Sequence, residues 1–357
     1  MDSLDQEIAS MKIKVDQTAE LKNTSQAKKT KKVVGANPKL LENILNAKYQ
    51  PRQDGKSIFF IETKKIDDKI LALTNRQACS IEAAGEVRKS VLKINLNPAL
   101  LAIANPELDV CLLFSFEVGY FNKTPLPLVD TLLSYKNFHM AYFDIVKFSE
   151  KTPLEEWFAS GEIYKSKFII NHISDIMRVL TLWKYTGTYF DSDVIVKKPV
   201  STWGTNFACM EGTGMINSAA FSFDAKLGRS IAEKIFEHVI KHFDPETWTG
   251  NGPEVLSNVV KQMCNTTDRL KLTRENCGGF EVHRYEECYA IGAYEWGKLF
   301  AVEYFDEVMS RTRDSFAIHF WNYLSKEKKV LTHSNQPYAH ITREFCPKVI
   351  RVSGDFF

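Results

Sequence analysis

The chain has 357 residues, 44% apolar and 25% charged, with a formal net charge of +2; this balance excludes a disordered or fibrous protein and leaves room for one large domain or two small ones. A surface so close to neutral offers little to a polyanion, so nucleic acid is not expected as a partner and any phosphate must be met by local groups. No window holds the roughly 18 consecutive apolar residues that cross a bilayer, and MDSLDQEIAS lacks the pattern of a signal peptide, so the chain as written reads as soluble.

Residues 1–50 are rich in Lys, Gln and Asn, with KKTKK at 28–32 and few large apolar side chains, and are expected to form a polar, disordered tail or stem. SIFFIE (57–62) is a continuous apolar run, the pattern of a strand covered on both faces. NRQACSIEAAGEVRK (75–89) reads as a helix and SVLKINLN (90–97) as a strand, giving a βαβ order, with further strands at DVCLLFSF (109–116) and MAYFDIV (140–146). Thr152-Pro153-Leu154-Glu155 supplies an N-cap, a helix-start proline and a capping-box glutamate for a short helix carrying Trp157 and Phe158.

A longer helix is expected from an N-cap at Ser174 to a stop at Gly187, with Asp175 and Arg178 on one face. In LGRSIAEKIFEHVIKHF (227–243), Leu227, Ile231, Ile235 and Val239 form a helical stripe, and Pro253 opens a helix that ends near Cys264. Strands alternating with helices predict a doubly wound α/β fold over residues 51–357. Seven cysteines are present without a Cys-x-x-Cys pair, so no zinc spacing appears. Cys264 and Cys277 flank a polar loop and are expected to form a disulfide, as are Cys79 and Cys111, in an oxidising compartment. Sequons at Asn23, Asn122 and Asn265 lean the same way.

KYTGTYFDSDVIV (184–196) places two aspartates one residue apart before a β-branched run. If residues 189–196 are extended, Asp191 and Asp193 share a face and repel unless a cation lies between them, and carboxylate oxygens suit Mg²⁺ or Mn²⁺. Two other readings stand beside it. One is a solvated turn in which Asp and Ser cap backbone amides; the other, a phosphatase-type D-x-D, fits less well because the longer apolar run follows the pair.

SDIMR (174–178) and WKYTGTYFDSD (183–193) resemble the S-D-x-x-R … W-K-[YF]-G-G-x-Y-x-D-x-D segment of the family containing lactosylceramide 4-alpha-galactosyltransferase and alpha-1,4-N-acetylglucosaminyltransferase. The resemblance continues in family order through INSAAFSF (216–223), WTGNGP (248–253), CYAIGAYEW (288–296), AIHFWN (317–322) and FCP (345–347), covering roughly residues 55–350. Thr186 stands where the family has the first of two glycines, and Ala290 where it has proline.

The resemblance implies an α/β, GT-A type nucleotide-sugar (Rossmann-like) fold with a mostly parallel central sheet, a nucleotide-sugar half at 51–200 and an acceptor half at 201–357. It implies retaining transfer of galactose or N-acetylgalactosamine, less readily N-acetylglucosamine, from a UDP-sugar in α1,4 linkage to a terminal sugar of a glycolipid or glycoprotein. Mn²⁺ or Mg²⁺ would be held by Asp191, Asp193 and His319, with Asp191, Asp193 and Arg178 catalytic. Contacts to the nucleotide sugar are implied for Asp175, Arg178, Tyr189, Asp191, Asn217, Gly252 and Trp321. Membrane association in the Golgi and a place in glycosphingolipid synthesis belong to the same implication. A catalytically inactive, glycan- or nucleotide-sugar-binding relative is the alternative.

Plainer roles remain open for several of these residues. Arg178 can pair with Asp175 within one helix. Alternation in SFAIHFWN (315–322) turns His319 away from the apolar face of Phe316, Ile318 and Phe320 toward a cleft, where a hydrogen-bonded structural histidine is the other reading. Asn217 can hold sugar hydroxyls or close a turn, and Gly252 can admit a ligand or the helix at Pro253. No carboxylate is fixed as a nucleophile, so covalent and front-face routes both stand.

Overall fold

The strand β1 (Ser57–Glu62) is buried along its whole length. Its residues alternate between two cores, with Ile58 and Phe60 in one and Phe59 and Ile61 in the other, which is why the run carries no polar face. The computed structural model in which this is seen describes residues 41–63, 73–85, 105, 107–115 and 126–357. On one side of β1 lie β2 (Asp109–Phe114) and then β3 (Phe138–Tyr142), and on the other β4 (Gly187–Phe190), all parallel.

Beyond β4 come β5 (Val194–Val196), β6 (Phe207–Met210), β7 (Ile216–Phe223), β8 (Glu281–His283) and β9 (Ala317–His319). The central sheet runs β3-β2-β1-β4-β7-β6-β8 and is antiparallel only where β7 meets β4 and β6; β5 and β9 form a separate antiparallel pair. The fold is therefore α/β with a mostly parallel central sheet, as expected.

The described α-helices of eight or more residues are α1 (Asn75–Gly85), α2 (Leu126–Leu133), α3 (Ile169–Tyr185), α4 (Leu227–His242), α5 (Pro253–Met263) and α6 (Pro337–Phe345). The stripe on α4 buries Ile231, Ile235 and Val239, and α5 runs from Pro253 to a C-cap at Cys264, both as expected. The helix at 152–159 starts later than expected, at Glu155, with no side-chain cap.

Other expectations need correction. α3 begins at Ile169 rather than after Ser174, because the upstream Ile173 is buried with the helix; the Ser174 hydroxyl accepts a bond from Arg178 Nη2 at 2.9 Å instead of capping. The strand expected at 140–146 lies at 138–142, and Asp144 then caps a short helix by accepting the Lys147 N–H at 2.9 Å. Residues 41–50 pack on the domain rather than trailing as tail: Ile44 is buried, its N–H donates to the Tyr142 carbonyl at 2.8 Å, and Tyr49 stacks on His139. The expected strand at 90–97 and the sequons at Asn23 and Asn122 lie outside the described residues.

Cys264 and Cys277 are joined, but Cys79 pairs with Cys346 rather than Cys111, and Cys209 with Cys288. The reason is the pleat of β2. Cys111 points into one core and stays a buried thiol, whereas Cys79 sits in the core across the sheet. Replacing both Cys264 and Cys277 by serine opens a loop of sequence separation 13 and is expected to cost about 3 kcal/mol, read from urea midpoints.

Candidate metal centre and its crevice

Open α/β sheets bind ligands outside the carboxyl ends of their strands, where the strand order reverses. Here the order reverses between β1 and β4. A cavity of about 300 Å³ sits there, lined by Glu62 and Thr63 after β1, Arg178 from α3, Asp191 and Asp193 after β4, and Asn322. A larger cavity, about 910 Å³, lies elsewhere: Ile318 lines it, and none of these acidic residues does.

The two aspartates do not lie in an extended strand, which corrects the reading of 189–196. β4 ends at Phe190, Val194 N–H turns back to the Asp191 carbonyl at 3.0 Å, and β5 departs to the second sheet. Tertiary pairing forces this turn, because Asp191 N–H is held by the Ala219 carbonyl of β7 at 2.8 Å while Val194 pairs with His319 of β9. The alternative reading of a turn in which Asp caps a backbone amide is thus met in part, Asp193 accepting the Asn322 N–H, but the turn is largely shielded: the side chains of Asp191 and Asp193 are 27% and 14% exposed.

The β5–β9 pairing brings His319 Nε2 to 3.1 Å from Asp193 Oδ1. One ligand atom each from Asp191, Asp193 and His319 lie within 4.8 Å of one another. Two carboxylates and an imidazole suit Mn²⁺ or Mg²⁺, and His319 Nδ1 is buried without a hydrogen bond among the described residues, so the residues present fit a hard divalent cation. Burial opposes the charge on Asp193, yet His319 and the Asn322 N–H, 2.7 Å from Oδ2, hold its pKa below the usual carboxylate range. Burial likewise pulls His319 down, but the Asp193 carboxylate outweighs it and the pKa is raised.

Arg178 is buried among several partners. Nη1 lies 3.1 Å from Asp191 Oδ1 and donates to the Ser218 carbonyl at 2.9 Å; Nη2 lies 3.4 Å from Asp175 Oδ1. The guanidinium stands over the Tyr189 ring at 4.8 Å, and the Tyr189 hydroxyl donates to Asp191 Oδ1 at 2.7 Å. The intrahelical pair with Asp175 thus exists beside a shorter contact to Asp191.

Asp175 does not line the cavity; it backs Arg178. Its pKa is pushed up to about 7, first by burial and then by the Asp191 charge, against Arg178. Gly252 lets the chain pass against this carboxylate, since a Cβ there would stand 2.4 Å from Asp175 Cγ. With its native pKa above the unfolded value, Asp175 favours folding fully only at pH below the unfolded value, and that contribution is lost as pH rises toward 7. Asp175→Asn is therefore expected to flatten the fall in stability between about pH 4 and pH 7, measured as urea midpoints across that range.

Asn217 and Trp321 also stand off the crevice. Asn217 Nδ2 donates to Glu211 Oε1 and its Oδ1 accepts the Ala219 N–H at 2.7 Å. Trp321 Nε1 donates to the Ile291 carbonyl at 2.9 Å, its ring lies 4.0 Å from that of His319, and it lines a different cavity.

Sequence reasoning passed over two residues that build the centre. Asn322 supplies the backbone N–H to Asp193, aimed there by the left-handed backbone of Trp321. Arg76, buried in α1, donates to Asn322 Oδ1 at 3.2 Å and to the Ser325 carbonyl at 3.1 Å, fixing that segment. A lone arginine 246 residues from its partner carries no local signal.

Residues 64–208 match the glycosyltransferase sugar-binding region containing the DXD motif, and residues 224–353 match the alpha 1,4-glycosyltransferase conserved region. Rat lactosylceramide 4-alpha-galactosyltransferase is 26% identical over 297 residues, 83% of this chain and 75% of that protein. Human alpha-1,4-N-acetylglucosaminyltransferase is 25% identical over 243 residues, 66% of this chain and 69% of that protein. Among solved structures, galactosyltransferase LgtC in complex with donor and acceptor sugar analogs aligns over 81% of this chain and 94% of its own, at 12% identity and a TM-score of 0.40. With both regions present in order and Asp191-Ser192-Asp193 as its D-x-D, the chain belongs to the DXD-containing alpha 1,4-glycosyltransferase family and is a hexosyltransferase.

Proposed function

We propose that the protein is a GT-A type, Mn²⁺-dependent retaining α1,4-glycosyltransferase that moves galactose or N-acetylgalactosamine from UDP to a terminal sugar of a glycolipid or glycoprotein. One observation carries this reading: Asp191, Asp193 and His319 converge within 4.8 Å in the crevice where the strand order reverses. The names of the relatives support galactose or an N-acetylhexosamine as the transferred sugar.

Asp191, Asp193 and His319 would hold Mn²⁺ or Mg²⁺, which when bound neutralises the departing diphosphate as a Lewis acid. Arg178 and Tyr189 hold Asp191 in a fixed orientation before any ligand arrives, so little reorganisation is needed as charge develops. His319 must be neutral at its ligating nitrogen, so acid weakens the centre. Three disulfides suit an oxidising lumen such as the Golgi; among the described residues no helix is long and apolar enough to cross a membrane.

The test is UDP release from a panel of UDP-sugars with glycolipid and glycoprotein glycan acceptors, with Mn²⁺ and with EDTA. Release from UDP-galactose or UDP-N-acetylgalactosamine that stops with EDTA is expected. Turnover indifferent to EDTA would remove the metal reading, and no release from any donor would remove the proposed transfer.

A further inference from the structure

Next to the metal centre lies a second cavity, of about 280 Å³, whose wall includes Glu211, Tyr285, Tyr289, Tyr294, Arg311 and Trp321. We propose that it binds the acceptor as an uncharged, hydroxyl-bearing terminal sugar, with the Glu211 carboxylate and the Tyr289 hydroxyl as hydrogen-bonding groups and Tyr294 as a stacking rim. The word acceptor rests on the transferase reading above; the binding itself does not.

Four observations support this. The Tyr289 hydroxyl is buried and has no hydrogen bond among the described residues; an unpaired buried polar atom in a cavity wall marks a place where a ligand supplies the partner. The Tyr289 ring lies 5.5 Å from that of His319, which sets it beside the metal centre. Glu211 uses Oε1 to accept from Asn217, and no described residue donates to its other oxygen. Tyr294 is 72% exposed at the mouth, an aromatic face open to the apolar side of a sugar ring.

The charge pattern decides the chemical class. Arg311, a cation in this wall, is consumed: it donates to Glu295 at 2.7 and 2.9 Å and to Glu307 at 2.9 Å. An anionic ligand would therefore face the Glu211 carboxylate with no unpaired arginine to offset it. A polyol does not have that problem. A carboxylate and a phenol held among aromatic rings bind hydroxyls and exclude phosphate or a sialylated terminus. This also gives Asn217 and Trp321 places on the acceptor side rather than the donor side.

The experiment is ligand-observed NMR titration of methyl β-lactoside, and of its sialylated counterpart, against wild type, Glu211→Gln and Tyr294→Ala without metal or UDP-sugar. The Kd for Mn²⁺–UDP is measured in parallel by calorimetry. The neutral lactoside is expected to bind and the sialylated one not, each variant weakening the lactoside about tenfold, the equivalent of one lost hydrogen bond, with Kd for Mn²⁺–UDP unchanged. Equal binding of the two glycosides, wild-type affinity in both variants, or parallel loss of Mn²⁺–UDP binding each overturns the proposal. Tyr294 is exposed, so its variant is expected to fold even if Glu211→Gln does not. A wild-type protein that binds lactoside here yet releases no UDP would refute the transferase reading alone.

Discussion

Asp193→Ala is expected to lower metal-dependent transfer by about a thousandfold or more and to cost the metal-free protein about 3 kcal/mol. Both effects come from one carboxylate facing two ways. Oδ1 lies 3.1 Å from His319 Nε2 and Oδ2 accepts the Asn322 N–H at 2.7 Å. Truncation removes a candidate ligand, strands a buried imidazole whose pKa is raised by this same group, and orphans a backbone donor. Asp193→Asn keeps the shape without the charge and is expected to retain more stability than activity. UDP release, Mn²⁺ calorimetry and urea unfolding separate these effects. Undiminished Mn²⁺ affinity in Asp193→Ala would show that Asp193 is not a ligand.

Gly187→Ala is expected to destabilise the fold by about 4 kcal/mol or more. A Cβ there would stand 2.3 Å from the Ser57 carbonyl oxygen of β1, at a φ of +116° that suits only glycine. Neither strand can retreat. The β1–β4 register joins Ile58 to Thr188 and Phe59 to Tyr189, and the Gly187 carbonyl accepts the Ser222 hydroxyl at 2.9 Å. The crevice opens at the ends of these same strands, so activity should fall with stability. Gly212→Ala, where an added Cβ meets nothing within 4 Å, is the control and is expected to unfold close to wild type. Comparable melting of the two variants would contradict the contact argument.

What could be read from the sequence divides along local and long-range lines. α4 and α5 are readable because a 3.6-residue stripe and a helix-start proline act within a few residues. The grouping of Asp191 and Asp193 with His319 is readable only through the family resemblance, since paired carboxylates alone also fit a turn that caps backbone amides. Their backbone is not: the pull of β7 on one side and β9 on the other decides the turn, and neither strand is adjacent in sequence. The partner of Cys79 is hidden for a similar reason, because it depends on which face of β2 Cys111 occupies. Thr186 shows the opposite limit. It takes a φ of 59° and ψ of 169°, a glycine conformation, and holds it while its hydroxyl accepts the Gly55 N–H at 3.0 Å.

The bond between Cys79 and Cys346 has a bearing on biosynthesis. The two thiols are 267 residues apart, so at roughly 5–20 residues per second the first emerges from the ribosome on the order of a quarter-minute to a minute before the second. Within that interval Cys111 and then Cys209 emerge, and each can capture a nascent Cys79 before Cys346 is made. Recovery of the native pairing then calls on thiol exchange by an isomerase, and the yield of folded protein should track the capacity of the host to supply one.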